Sequence, residues 1–334
     1  MKDRINNKNI NYSLELLRLI LCLWVVIQHC CRNVNKFKRK FHVPTFMIMS
    51  FYFYSNTLKT KNIPKIKQRF QRILIPYIIW AIFLFIFNYI LFILFGFSLI
   101  NKKLLLKDLV LQLIFGEKYY FIFYYQFNLI FLTIIFNIIS FLFNKNYIFV
   151  LQIFLIVAYI FKYSYLNLFI FSKFFTVIKC SIGTIFELLP FAVVGVTLYY
   201  LDIILILKKF KLIAIFFNGI IIFLIFKFDI FISIKGFLYP GILHNVGGIS
   251  IFILFSLFSF QNRKLKFVLV KNITKFTGGI YYIHKILFFF LSKIFIFIRK
   301  KTFYGSIVIY IMSYNICYLG NKLSFKTKLN LLFN

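Results

Sequence analysis

SLELLRLILCLWVVIQHCC, residues 13–31, is the stretch whose reading decides the fold. It is apolar and long enough to enter a bilayer, yet it carries Glu15, Arg18 and His29. A charged side chain at bilayer depth costs about 2.5–3.5 kcal/mol or more, so such groups turn towards a protein interior or a wet cavity. Arg18 and His29 are separated by three helical turns plus roughly 20°, so they share one face at levels about 16 Å apart. Glu15, one turn before Arg18, lies on the same face. The expectation is a helix whose polar stripe lines a reaction site.

The rest of the chain repeats the pattern of apolar runs. Of its 334 residues 62% are hydrophobic and 51 are Phe. This composition predicts an all-α polytopic membrane protein, a bundle of about ten transmembrane helices with no large soluble domain. The formal charge of +34 raises the question of nucleic acid. Lys and Arg sit mostly in short spacers between apolar runs, however, where they anchor a bilayer rather than cover a soluble nucleic-acid-binding face. The five cysteines, Cys22, Cys30, Cys31, Cys180 and Cys317, form no disulfide framework. Adjacent Cys30 and Cys31 point about 100° apart on a helix and chelate poorly, so no metal is expected.

Cutting the chain at its charge clusters predicts spans near 13–31, 42–58, 73–97, 119–143, 147–161, 184–201, 211–226, 242–260, 276–298 and 303–320. Lys162, Lys173 and Lys179 interrupt an aromatic stretch, so 162–183 reads as an interfacial or re-entrant segment. One membrane domain is expected over 1–334: an N-terminus at 1–12, a bundle at 13–320 and a tail at 321–334. The first helix, without a signal-peptide cleavage site, is expected to be retained. The 59–72 segment is densest in Lys and Arg and reads as a cytoplasmic loop, which places the N-terminus and the tail in the cytoplasm as well. Pro190 with Gly195 predicts a kink in the sixth span, and Gly247-Gly248 and Gly278-Gly279 predict close helix approach.

Candidate site residues follow from charge and proton chemistry. His29 suits a general base near neutral pH, while His42 and His244 read first as interfacial histidines. Arg18 stays charged, so it either pairs with Glu15 or holds an anion such as the phosphates of an acyl carrier. Arg69 and Arg72 extend that anion path or serve as ordinary cytoplasmic charge. Asp108 and Glu117 are placed in a loop, and Glu187 in the first turn of the sixth span. Tyr119-Tyr120-Phe121 and Tyr124-Tyr125-Gln126 form either an aromatic belt or a sugar-stacking surface.

Taken together, these residues resemble the acyltransferase 3 family of integral membrane acyltransferases. The resemblance rests first on Glu15-Leu16-Leu17-Arg18 followed, after ten residues, by His29. It extends to His42-Val43-Pro44 through Ser50, to Arg69-Phe70-Gln71-Arg72 with Ile75-Pro76-Tyr77, and to Tyr120-Phe121 with Gln126-Phe127. Leu189-Pro190-Phe191 with Gly195 and Ile280-Tyr281-Tyr282-Ile283-His284 complete it. Phe51 stands where the family usually has Gly, and Lys285 where an apolar residue or Pro is common.

The resemblance implies a multi-pass enzyme of a bacterial plasma (inner) membrane that takes an acyl group, commonly acetyl from acetyl-CoA, to a glycan or glycolipid hydroxyl. Arg18, Arg69 and Arg72 would bind acyl-CoA. His29, with Arg18 and Glu15, would carry the chemistry. His42, Tyr120, Gln126, Tyr281 and His284 would contact substrate. No bound cofactor and no nucleic-acid partner are expected. The competing reading is a transporter or flippase for a lipid-linked glycan, in which Arg18 and His29 bind substrate or carry protons.

Overall fold

A computed structural model describes residues 12–31, 41–95, 105–116, 123–165, 173–228, 242–258, 273–295, 298, 302–323 and 332–333. Among them are twelve helices and no strand. These are α1 (Tyr12–Cys30), α2 (His42–Thr60), α3 (Ile63–Phe95), α4 (Leu106–Phe115), α5 (Tyr124–Phe143) and α6 (Tyr147–Tyr165). They continue with α7 (Lys173–Tyr200), α8 (Ile203–Lys209), α9 (Lys211–Phe228), α10 (Ile242–Leu257), α11 (Thr277–Ile294) and α12 (Phe303–Leu323). A helix lies over each of the ten predicted segments, and α4 and α8 are additional. Among the described residues five stretches are long and apolar enough to cross a membrane: Tyr12–Cys30, Ile63–Leu94, Tyr124–Phe143, Ile182–Tyr200 and Phe303–Leu323.

The predicted basic loop is not a loop. Lys59 closes α2, Lys61 adopts a left-handed φ of 49°, and α3 begins at Ile63. The Asn62 side chain accepts the Lys65 backbone N–H at 3.0 Å, as an N-cap does, and Pro64 fits the first turn, where no intrahelical N–H is needed. Lys, Arg and Gln are good helix formers, so Arg69 and Arg72 lie on α3. At 33 residues α3 is about 50 Å long, longer than a hydrocarbon core of about 30 Å. Its exposed Lys65, Lys67 and Arg72 belong to the excess length.

Two further expectations change in the same way. The described part of 162–183 is helix, the end of α6 and the start of α7, rather than a separate interfacial segment. Glu187 therefore sits in the middle of α7 and not in a first turn. Asp108 is not in a loop but in the first turn of α4, where its carboxylate accepts the Leu105 N–H at 2.9 Å. Pro190 is inside α7, as its position in the sequence suggested.

Helix α1 is central. Leu14, Leu17 and Leu21 join a core built with α2, α5, α6, α7 and α10. Cys22, Val26 and Cys30 join a second core with α3, α11 and α12. Spacings of three and four residues hold each stripe on one face, and the two stripes are offset by one residue, or about 100°, so α1 is buried on two sides. Its start is tied to α10 by the Ser13 hydroxyl, which donates to the Phe258 carbonyl.

The tightest packing is that of α2 on α7. A Cβ on Gly195 would collide with the Ile48 carbonyl oxygen and approach the Tyr52 nitrogen to 3.1 Å. Phe51 does not obstruct this approach, because it points to α5, with its ring 4.7 Å from that of Phe136. Gly195→Val is expected to destabilise the protein by about 2–3 kcal/mol, read as a lower melting temperature in detergent. An unchanged melting temperature would show that α2 and α7 are not this close. Gly248 approaches Pro44 of α2, and Gly279 approaches Cys317 of α12, as their sequence positions implied.

Candidate active site

The polar stripe of α1 faces a cavity of about 190 Å³ lined by α1, α2, α5 and α11. Arg18, Cys22 and Val25 line it from α1, and Val43, Phe46, Met49 and Ser50 from α2. Tyr125 and Gln126 of α5 and Thr277, Gly278 and Tyr281 of α11 close it. The α1 spacing of four and three residues continues to His29 one turn later, so this face runs from Arg18 past the cavity to His29.

Arg18 is paired with Glu15 at 3.4 Å, one turn apart. The pairing engages one guanidinium nitrogen of a group with five N–H donors, and the same side chain lines the cavity. The two roles weighed for Arg18, ion pair and cavity cation, are therefore geometrically compatible.

Arg69 lies behind Ser50. Its Nη2 donates to Ser50 Oγ at 3.0 Å, its Nη1 to the Ser50 carbonyl at 3.4 Å and its Nε to Thr133 Oγ1 at 3.2 Å. The guanidinium also sits 4.1 Å from the Tyr54 ring centroid and 5.1 Å from that of Phe51. Tyr54 in turn donates to Asn137 Oδ1 at 2.9 Å. One cation thus joins α2, α3 and α5 at the wall of the cavity. The aromatic face of Phe51 occupies a position where glycine would offer Arg69 no ring.

At the other end of the stripe, His29 and His284 stack with ring centroids 5.4 Å apart and planes 29° apart. His284 is fully buried. Its Nδ1 is 3.1 Å from the Ile280 carbonyl, which accepts the Nδ1–H and leaves Nε2 as the ring's lone pair. That Nε2 has no hydrogen-bond partner among the described residues. Cys22 Sγ donates to the Thr277 carbonyl at 3.8 Å. From Cys22 to His29 and from Thr277 to His284 is the same number of residues, so α1 and α11 run parallel and in register. Tyr281 links pair and cavity, its ring 6.2 Å from His284 and 6.2 Å from Tyr125.

The remaining candidates are dispersed. His42 is buried at the start of α2, and Arg72 is exposed on α3. Tyr120 and Glu117 lie outside the described residues, as does the side chain of His244. Among the described residues no group of three His, Cys, Asp or Glu side chains is placed to hold a metal ion.

Residues 11–322, nearly the whole chain, match the model of the acyltransferase domain that defines the acyltransferase 3 family. The chain belongs to that family. It is a multi-pass membrane acyltransferase, and the transporter alternative falls away. No curated protein and no solved structure matches it. In this acyltransferase the chain order conceals two features of the site. Nothing in the spacing joins His284 to His29, and Ser50 carried no signal beyond its place after the Pro44 segment. The one local clue to the pair was the presence of a histidine in each of two apolar runs.

Proposed function

We propose that the protein transfers an acyl group, most simply acetyl, from acyl-CoA to a hydroxyl of a cell-surface polysaccharide or lipid-linked glycan. The observation that carries this reading is the single face of α1 that presents Arg18 to a cavity and His29 to a histidine pair. Arg18, with the charge of Arg69 behind Ser50, attracts the anionic donor from the cytoplasmic side, where exposed Arg72 extends the positive surface. Gln126 and Tyr281 contact substrate within the cavity, and His42 and Tyr120 are the further substrate-binding residues of this reading. The protein spans a bacterial plasma membrane about ten times, with its N-terminus in the cytoplasm.

Chemically, the acceptor oxygen attacks the thioester carbonyl carbon. A C–O bond forms, the C–S bond breaks, and His29 takes the hydroxyl proton and returns it to the leaving sulfur, so the imidazole ends neutral. Glu15 holds Arg18 in place through their ion pair.

The test is mass spectrometry of surface glycans from cells with and without the gene. The expected result is an ester whose mass names the acyl group and whose position names the acceptor. Identical glycans in both strains would overturn the reading.

A further inference from the structure

Lys285 lies on the stripe of α11 that walls the cavity. Gly278 and Tyr281 line the cavity. Steps of three and four residues lead from Gly278 through Tyr281 to Lys285, which ends about 20° from Gly278 around the helix. It stands about 6 Å beyond Tyr281 along the axis. The shared register of α1 and α11 puts Lys285 level with Cys30, and its ammonium is an electrostatic neighbour of the Cys30 thiol. The cation therefore sits at the level of the stacked His29 and His284 rings, at the far end of the stripe from Arg18.

Lys285 is half-buried and deep within its helix, eight residues after Thr277 and nine before Ile294. Either end is at least about 12 Å away, further than the side chain reaches. A charge at such depth is costly unless a partner or a wet cavity receives it. The chain has only seven acidic residues. Of those described, Glu15 pairs with Arg18, Asp108 caps α4, and Glu187 and Asp202 belong to α7 and the turn after it. Among the described residues no carboxylate is within ion-pair distance of Lys285. An anion that arrives with a substrate would complete the arrangement.

Arg18 and Lys285 are separated by about 18 Å along the two parallel helices, too far to share one anionic group. The donor's anionic end, as proposed, occupies Arg18, so the second anion belongs to the acceptor. We propose that Lys285 selects an acidic glycan, one whose reacting hydroxyl lies on or beside a sugar bearing a carboxylate or a phosphate. The anion pairs with the ammonium while the hydroxyl faces His29. Lysine is a point charge on a flexible stem and reads sign more than shape, so it receives either group. The inference rests on the acyltransferase reading and names the class of its acceptor.

The test separates surface glycans from cells lacking the gene into neutral and acidic fractions by anion exchange. Each fraction is offered, with acetyl-CoA, to the purified full-length protein in detergent. Mass spectrometry is expected to find ester in the acidic fraction alone. Reduction of carboxylates to alcohols, or removal of phosphates with cold aqueous hydrofluoric acid, is expected to abolish it, and the effective treatment names the group. Ester formed equally in the neutral fraction overturns the inference and leaves the acyltransferase reading intact. No ester in either fraction removes both.

Lys285→Met is close in length and removes a charge that no described side chain pairs, so the variant is expected to fold. It is expected to raise KM for the acidic acceptor by about ten- to a hundredfold, the loss of a charge-assisted contact, with kcat and KM for acetyl-CoA little changed. Lys285→Arg keeps the charge and is expected to hold the acceptor KM within a few fold. An unchanged acceptor KM in Lys285→Met, or a loss confined to kcat, overturns the inference.

Discussion

His29→Ala is expected to lower ester formation on surface glycans by about 10²–10⁴-fold, the usual contribution of a positioned general base. If the donor's anionic end sits at Arg18 as proposed, about three turns away, the loss should appear in the turnover rate more than in donor affinity. His284→Ala is expected to have a smaller effect, near tenfold. It removes the ring that stacks on His29 at 5.4 Å but not the proposed base. His284→Asn should recover part of that loss, since a flat amide can still pack on the imidazole. Ester measured by mass spectrometry in cells with matched protein levels decides the matter. If His29→Ala keeps more than about a tenth of wild-type ester, His29 is not the base.

Arg69→Ala is expected to destabilise the protein by about 3 kcal/mol or more. The change removes three hydrogen bonds from a charged donor and two cation–ring contacts that join α2, α3 and α5. Arg69→Lys should not restore stability. One ammonium cannot reach Ser50 and Thr133 with the planar fork of a guanidinium, nor stack on Tyr54 in the same way. Thermal unfolding in detergent, followed alongside coenzyme A binding, reads both consequences. Full stability of Arg69→Lys would mean that the guanidinium fork is not what joins the three helices, and lost donor binding alongside it would mean that the fork serves the anion instead. Arg72, exposed on the same helix, is expected to affect stability little when replaced.

Much of the site was legible along the chain because the cost of a charge in lipid is local. Arg18 and His29 on one apolar run have to face away from lipid, and the helical repeat alone puts them on a shared stripe. Gln126 was named within an aromatic cluster and Tyr281 through the family resemblance, and both line the cavity. The basic segment 59–72 was misread for a reason that is also local. Its Asn62 cap and Pro64 are helix-start signals, but the density of Lys and Arg suggested a loop.

What the sequence by itself determined is therefore the helical class, the polar stripe of α1 and the family. Only the tertiary structure decided who stands opposite that stripe. His29 meets His284, and Cys22 meets Thr277, across 255 residues of chain. Periodicity assigns a side chain to a face of its own helix but leaves the neighbouring helix open. That choice is made by packing: Gly195 admits α7 to α2, Gly279 admits α12 to α11, and α1 is enclosed on two sides. With α1 and α11 parallel and in register, one cavity gains a cation, a buried amide and an adjacent pair of imidazoles, a combination that no single helix encodes.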